Sequence, residues 1–213
     1  MRSRRLIGKI TRWLNSENHD PMSTPEIHPI NENRKLLLAD WVARQHSGQL
    51  IRRTNDPYFA HVLNVAKMAA PYALLGYEIG LSHDLLEKTS VRPETLHRQL
   101  MQLKYIKDEA DNITNAVIEL TDVYTKTNYP KTGKAVRKRE EARRLITISP
   151  AAQTVKYADL YDNICWVVKH DLENAAAYLQ RKNELIFKMI AGNPVLREHL
   201  LKTLSELNLR ISS

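Results

Sequence analysis

The 213-residue chain contains one cysteine, Cys165, and so no intrachain disulfide. Within Ile164-Cys165-Trp166-Val167-Val168 that cysteine reads as a small core residue of a protein kept in a reducing, cytoplasmic compartment. Long apolar runs are missing too: the stretches around Val62 to Leu75 and Ile164 to Val168 are too short or too interrupted to cross a bilayer. No segment alternates apolar and polar residues over more than a few positions, which leaves little room for strands. Repeats of solenoid length and low-complexity tracts are also absent. Acidic residues are the scarcer charge, 24 against 32 lysines and arginines. The resulting formal +8 favours anionic partners without choosing among a nucleotide, a nucleic acid and an anionic membrane.

What remains is helical. A 43% hydrophobic fraction is enough for one core of ordinary size, and apolar residues recur at helical spacing almost everywhere after Glu32. We divide the chain into a basic N-terminal segment and linker, 1–31, and a helical bundle, 32–213. The first part holds Arg2, Arg4, Arg5, Lys9 and Arg12 among Leu6, Ile7, Ile10 and Trp13. That basic amphipathic pattern suits a packed terminal helix, a membrane surface or a targeting segment.

In the second part the pattern predicts a helix from Glu32 to Ser47, stopped near Gly48, with Leu36, Leu37, Ala39, Val42 and Ala43 among its residues. A second opens at Pro57 and carries His61, Val65 and Met68 on one side until Pro71. A third covers Tyr77 to Lys88. Others follow at 93–101, 108–123, 135–147, 151–169, 172–191 and 195–207, punctuated by Tyr129-Pro130-Lys131-Thr132-Gly133, Ser149-Pro150 and Gly192-Asn193-Pro194.

The chemistry concentrates in three separate segments. His83-Asp84 is an adjacent imidazole and carboxylate in an otherwise apolar stretch. With His61 upstream and Asp159 downstream, two imidazoles and two carboxylates can close around one divalent cation. Glu87, four residues after His83, is placed to reach a water on that cation. Taken singly, each residue has a plainer alternative: a hydrogen-bonded histidine for His61, and for Asp159 an ion pair with one of the many lysines or arginines.

Several ordered motifs resemble the hydrolase domain of RelA/SpoT-type alarmone enzymes over about Arg34 to Lys169. Arg52-Arg53-Thr54-Asn55-Asp56-Pro57-Tyr58-Phe59-Ala60-His61 is similar to the family's basic pair before Pro-Tyr-x-x-His. His83-Asp84-Leu85-Leu86-Glu87-Lys88-Thr89 resembles its His-Asp-x-x-Glu-Asp-Thr, and Val155-Lys156-Tyr157-Ala158-Asp159 with Asn163 its Val-Lys-x-Ala-Asp-x-x-x-Asn. Glu119-Leu120-Thr121-Asp122, Arg137-Lys138-Arg139 and Ser149-Pro150-x-Ala152 fit between them, the last in a form like the stand-alone, single-domain hydrolases.

The resemblance implies an all-α single HD-domain bundle that binds Mn²⁺, or another divalent metal, through His61, His83, Asp84 and Asp159. The implied reaction removes pyrophosphate from the 3′ position of ppGpp or pppGpp, giving GDP or GTP, as in the stringent response. Glu87 then orients or deprotonates the attacking water. Arg52 and Arg53 flank the base, Tyr58 contacts the nucleotide or supports its loop, Asn163 donates to ribose or phosphate, and Lys134, Lys138 and Arg139 hold the pyrophosphate. The alternative for those last three cations is a solvated helix face.

Two positions depart from the family. Lys88 stands where the second acid of Glu-Asp is usual, a local change of two charge units, and Leu160 replaces the usual basic residue after Asp159. Hence two other readings stand beside the first: an HD phosphohydrolase acting on another nucleotide, such as an adenosine analogue of the alarmone, and a catalytically weakened alarmone-binding module. Nucleic acid is the weaker partner, because the positive charge is spread out and aromatic interleaving is slight.

Overall fold

The computed structural model describes residues 29–212, so the basic segment Arg2 to Trp13 lies outside the described residues. The helical unit runs from Arg34 to Ser213. Its elements are α1 (Pro29–Gln45), α2 (Tyr58–Ala69), α3 (Gly76–Ser82), α4 (Leu85–Lys88), α5 (Pro93–Gln102), α6 (Lys107–Leu120), α7 (Lys134–Leu145), α8 (Pro150–His170), α9 (Leu172–Lys188) and α10 (Pro194–Ser212). Among the described residues the only β pairing is an isolated bridge between Leu50 and Pro57, so the fold is all-α, as the sequence predicts.

The helix α8 is the axis of the bundle: α2, α3, α6, α9 and α10 all pack on it. Its sequence explains that position. Val155, Ala158, Leu160 and Ile164 are fully or almost fully buried, and they spread round the helix rather than along one stripe, as a helix enclosed by neighbours requires. Pro150 fills the first helical turn, and the Ser149 hydroxyl accepts from the Ala152 amide at 3.4 Å. At the far side Gln153, wholly buried, accepts from the amides of Ala191 (2.9 Å) and Gly192 (3.2 Å) and so fixes the turn between α9 and α10.

The contact that matters most for the site is that of α2 with α3. A Cβ on Gly80 would stand 2.6 Å from Ala66 Cα and 2.8 Å from Ala66 N, so only glycine lets the two backbones approach this closely. Val62, Val65, Ala66 and Ala69 of α2 and Ile79 and Leu81 of α3 are buried along the seam.

One expectation needs correcting. The stretch Tyr77 to Lys88 is two helices, because the chain turns at His83-Asp84, where Asp84 adopts φ −101° and ψ 0° before α4 begins. The His83 Nδ1–H donates to Gly80 O at 2.7 Å within that turn. In α1 the core face is Leu38, Val42 and His46, spaced by four residues, whereas Leu36 and Leu37 are exposed. Gly48 follows at φ +79°, the left-handed position of a helix stop.

Candidate metal centre

The end of α3, the start of α2 and the middle of α8 meet at one point. There, His61, His83 and Asp159 bring together ligand atoms that all lie within 4.8 Å of one another. His61 Nε2 is 3.4 Å and His83 Nε2 3.8 Å from Asp159 Oδ1. Asp84 joins them, its Oδ2 3.4 Å from His83 Nε2 and 3.8 Å from His61 Nε2. Ligand atoms about 2.1 Å from a shared ion stand roughly 3.0 to 3.4 Å apart, so a small inward movement suffices to close this set on a cation.

The second atoms of these side chains show which way they face. Asp162 Oδ2 accepts from His61 Nδ1–H at 2.7 Å, and Asn64 Nδ2 donates to the other oxygen of Asp162 at 3.0 Å. With His83 Nδ1 committed to Gly80, both imidazoles present Nε2 to the centre, the carboxylate or carbonyl arrangement that metal-binding histidines use. His83 Nε2 is buried and has no hydrogen-bond partner. A buried nitrogen lone pair is costly to leave empty, and a cation beside two carboxylates satisfies it. The residues present therefore fit a divalent metal.

Electrostatics support the same arrangement. Burial alone would raise the carboxyl of Asp159, but the Lys156 ammonium at 2.7 Å and the two imidazoles hold it well below the usual range. Asp84 is likewise held low: burial opposes, and His83 together with the Tyr58 hydroxyl, which donates to Oδ2, outweighs it. Desolvation works against a charged His61, yet the Asp159 and Asp162 carboxylates push it up to about 10. Asp159 thus realises both sequence alternatives, an ion pair to Lys156 and a place among the imidazoles.

The remaining expected residues are distributed as follows. Glu87 accepts an ion pair from Lys88. Tyr58 anchors Asp84. Asn163 Nδ2 donates to Asp159 Oδ1 at 2.5 Å and to its carbonyl at 2.9 Å, which spends its amide hydrogens on the cluster. Arg52 and Arg53 occupy the exposed loop closed by Ile51 N to Asp56 O (2.9 Å) and Tyr58 N to Gln49 O (2.9 Å). Arg53, at φ 61°, reaches the end of α8, donating to His170 O at 2.8 Å beside Asp171 at 3.1 Å. Lys134, Lys138 and Arg139 line a cavity of about 810 Å³ between α7, α8 and α9, which Lys156 also borders.

Sequence reasoning missed Asp162 and Lys156. Both had a signal: they lie three residues either side of Asp159 on α8, hence on its face. It also passed over His46, buried at the end of α1, whose ring centroid is 5.3 Å from that of Tyr58.

No protein-family model matches the sequence, and neither does any curated protein. Among solved structures, a metazoan ortholog of SpoT, described as hydrolysing ppGpp and acting in starvation responses, superposes with a TM-score of 0.62 at 20% identity, covering 87% of this chain and 97% of that one. The chain has the all-α HD-domain fold of that SpoT-related hydrolase.

Proposed function

We propose that the chain is a divalent-metal-dependent pyrophosphohydrolase of ppGpp and pppGpp, with Mn²⁺ as its metal, acting in the cytoplasm. The observation that carries the reading is the buried, unpartnered His83 Nε2 facing His61, Asp84 and Asp159 beside a cation-lined cavity, in a fold shared with a ppGpp hydrolase. A mixed set of two imidazoles and two carboxylates suits Mn²⁺. When bound, such a cation acidifies water and polarises a phosphoryl oxygen.

The protein's own residues do the rest. Asp162 and Gly80 O hold the imidazole tautomers, and Tyr58, Asn163 and Lys156 fix the two carboxylates, so the ligands are set before metal or substrate arrives. Glu87 accepts the proton of the attacking water. Water adds to the phosphorus on O3′, the bond from that phosphorus to O3′ breaks, and the departing O3′ takes up the proton that Glu87 received, so that pyrophosphate and a free 3′ hydroxyl are released. Lys134, Lys138 and Arg139 hold the pyrophosphoryl group and stabilise the charge that builds on it as water attacks, and Arg52 and Arg53 meet the nucleoside.

The full chain incubated with Mn²⁺ and ppGpp should release GDP and pyrophosphate, and Asp84→Ala should lower that turnover by roughly 10³-fold or more. Equal rates for both proteins refute the assignment. A panel of 3′-pyrophosphorylated purines then sets guanosine against adenosine substrates.

One observation favours a second reading, a weakened catalyst that mainly binds alarmone: the ammonium of Lys88 sits on the Glu87 carboxylate. That ammonium competes with the attacking water for the carboxylate that must accept its proton. Lys88→Asp is therefore expected to raise kcat about tenfold near neutral pH with KM little changed. A rise in KM at constant kcat would instead place the Lys88 ammonium on a substrate phosphate.

A further inference from the structure

The cavity between α7, α8 and α9 is far more basic than its neighbourhood requires. Ten lysines and arginines line it against three acids. The acids do little to offset them. The Glu141 carboxylate accepts from Arg144 and from the amides of Val123 and Tyr124 (both 3.0 Å). Asp122 is pushed towards its neutral form by burial and by the nearby Glu87, and Glu184 is exposed.

Among the lining residues is Lys182 of α9, half-buried, with its Nζ 5.3 Å from the centre of the Tyr178 ring. Among the described residues it has no hydrogen bond or ion pair. Lys156, which it approaches, is already spent on Asp159 at 2.7 Å, so the cavity is joined to the metal centre through that one lysine. Desolvation and then Lys156 push the Lys182 ammonium down to about 8, so it carries its charge at a cost when the cavity holds no anion.

We propose that Lys182 is a specificity-determining residue that, with Lys134 and Lys138, holds the pyrophosphoryl group of the substrate in this cavity. The inference rests on the pyrophosphohydrolase reading and deepens it by fixing where the transferred pyrophosphoryl group sits. A merely structural side chain at this point would be apolar, because packing against the Tyr178 ring needs no charge and a half-buried ammonium without an ion pair opposes folding. A multiply charged phosphate chain supplies the missing partner and neutralises several facing cations at once. Lys156 borders the cavity and pairs with Asp159, so a phosphate chain bound in the cavity would lie between Lys182 and the residues that would hold the metal.

The probe is inorganic pyrophosphate, titrated calorimetrically into the full chain after EDTA treatment, so that no metal contributes. Lys182→Met should weaken binding roughly tenfold or more, and Lys182→Arg should stay within about threefold of the unchanged protein. The melting temperature of Lys182→Met should equal or exceed that of the unchanged protein, which separates loss of a ligand contact from loss of fold. In turnover the methionine variant should raise KM with kcat nearly constant. Unchanged pyrophosphate affinity in Lys182→Met overturns the proposal, as does a fall in its melting temperature that Lys182→Arg repairs without restoring affinity. Failure of the nucleotide assignment is distinct: a chain that binds pyrophosphate through Lys182 yet leaves ppGpp intact loses the substrate and keeps the cavity. Hydrolysis of ppGpp with an unchanged KM in Lys182→Met removes the cavity alone.

Discussion

Replacing Asp159 by alanine is expected to strip the centre of metal and to destabilise α8 in the same step. The Asp159 carboxylate faces both imidazoles and also receives Lys156 at 2.7 Å and Asn163 at 2.5 Å. Loss of a partner to a single ligand already costs metal sites about 10- to 100-fold in affinity, so removing the ligand itself should exceed about 100-fold and leave no measurable turnover. The stability effect has a separate origin. Without Asp159 the Lys156 ammonium remains in an enclosed position with its closest countercharge gone, a change worth about 3 to 5 kcal/mol, or a fall in melting temperature on the order of 10 °C for a domain of this size.

Asp84→Ala makes the contrast. Asp84 is held by the Tyr58 hydroxyl and by the imidazoles and makes no ion pair with a lysine, so its loss should empty the site while the metal-free chain melts nearly as before. The double variant Asp159→Ala/Lys156→Met should then regain most of the lost stability and none of the metal. Metal content by mass spectrometry and melting curves of EDTA-treated protein check both halves. An Asp159→Ala chain that melts like the unchanged protein would mean that the Lys156 pair contributes nothing and that burial alone holds α8.

The line between what could and could not be read from the sequence falls at tertiary contact. His83, Asp84 and Asp159 could be picked out because ligand types stand in apolar stretches, where a carboxylate needs a reason to be, whereas His61 stood out only through the resemblance carried by Pro57-Tyr58-Phe59-Ala60-His61. Helix order followed from periodicity and from Gly48, Pro93, Pro150 and Pro194, whose backbone constraints are local. The break at His83-Asp84 was hidden: Leu85 and Leu86 continue a helical pattern, and what stops the helix is the side chain of His83 turning back onto Gly80 O.

Arg53 shows the same limit. Its contact with the end of α8 is with a residue 117 positions away, which no local pattern announces. The exposure of Leu36 and Leu37 is another case, since an apolar residue announces that it can be buried and not which of its neighbours will be. By contrast, Asp162 and Lys156 were recoverable from spacing alone, one short step along α8 from a residue already chosen.

Metal affinity is expected to climb steeply with pH. In the metal-free chain the Asp159 and Asp162 carboxylates, against the opposing desolvation, hold the His61 imidazole protonated up to about 10. The proton on Nδ1 faces Asp162 and stays; the one on Nε2 occupies the position that a metal needs. Binding must expel it, so apparent affinity should rise about tenfold per pH unit, close to 100-fold between pH 6.5 and 8.5. Calorimetry in buffers of different ionisation heat should count about one proton released at pH 7.5. The stability of the metal-free chain runs the other way. A histidine whose folded pKa is raised contributes stability that is fully present below its unfolded value of about 6.5 and is lost as pH rises through about 10. Metal stabilises the folded chain in proportion to the logarithm of its occupancy ratio, which grows over the same interval. The gap in melting temperature between Mn²⁺-loaded and EDTA-treated protein should therefore widen from pH 6.5 to 8.5. A constant or narrowing gap would remove His61 from the ligand set, because a ligand that carries a proton in the free protein cannot bind without giving it up.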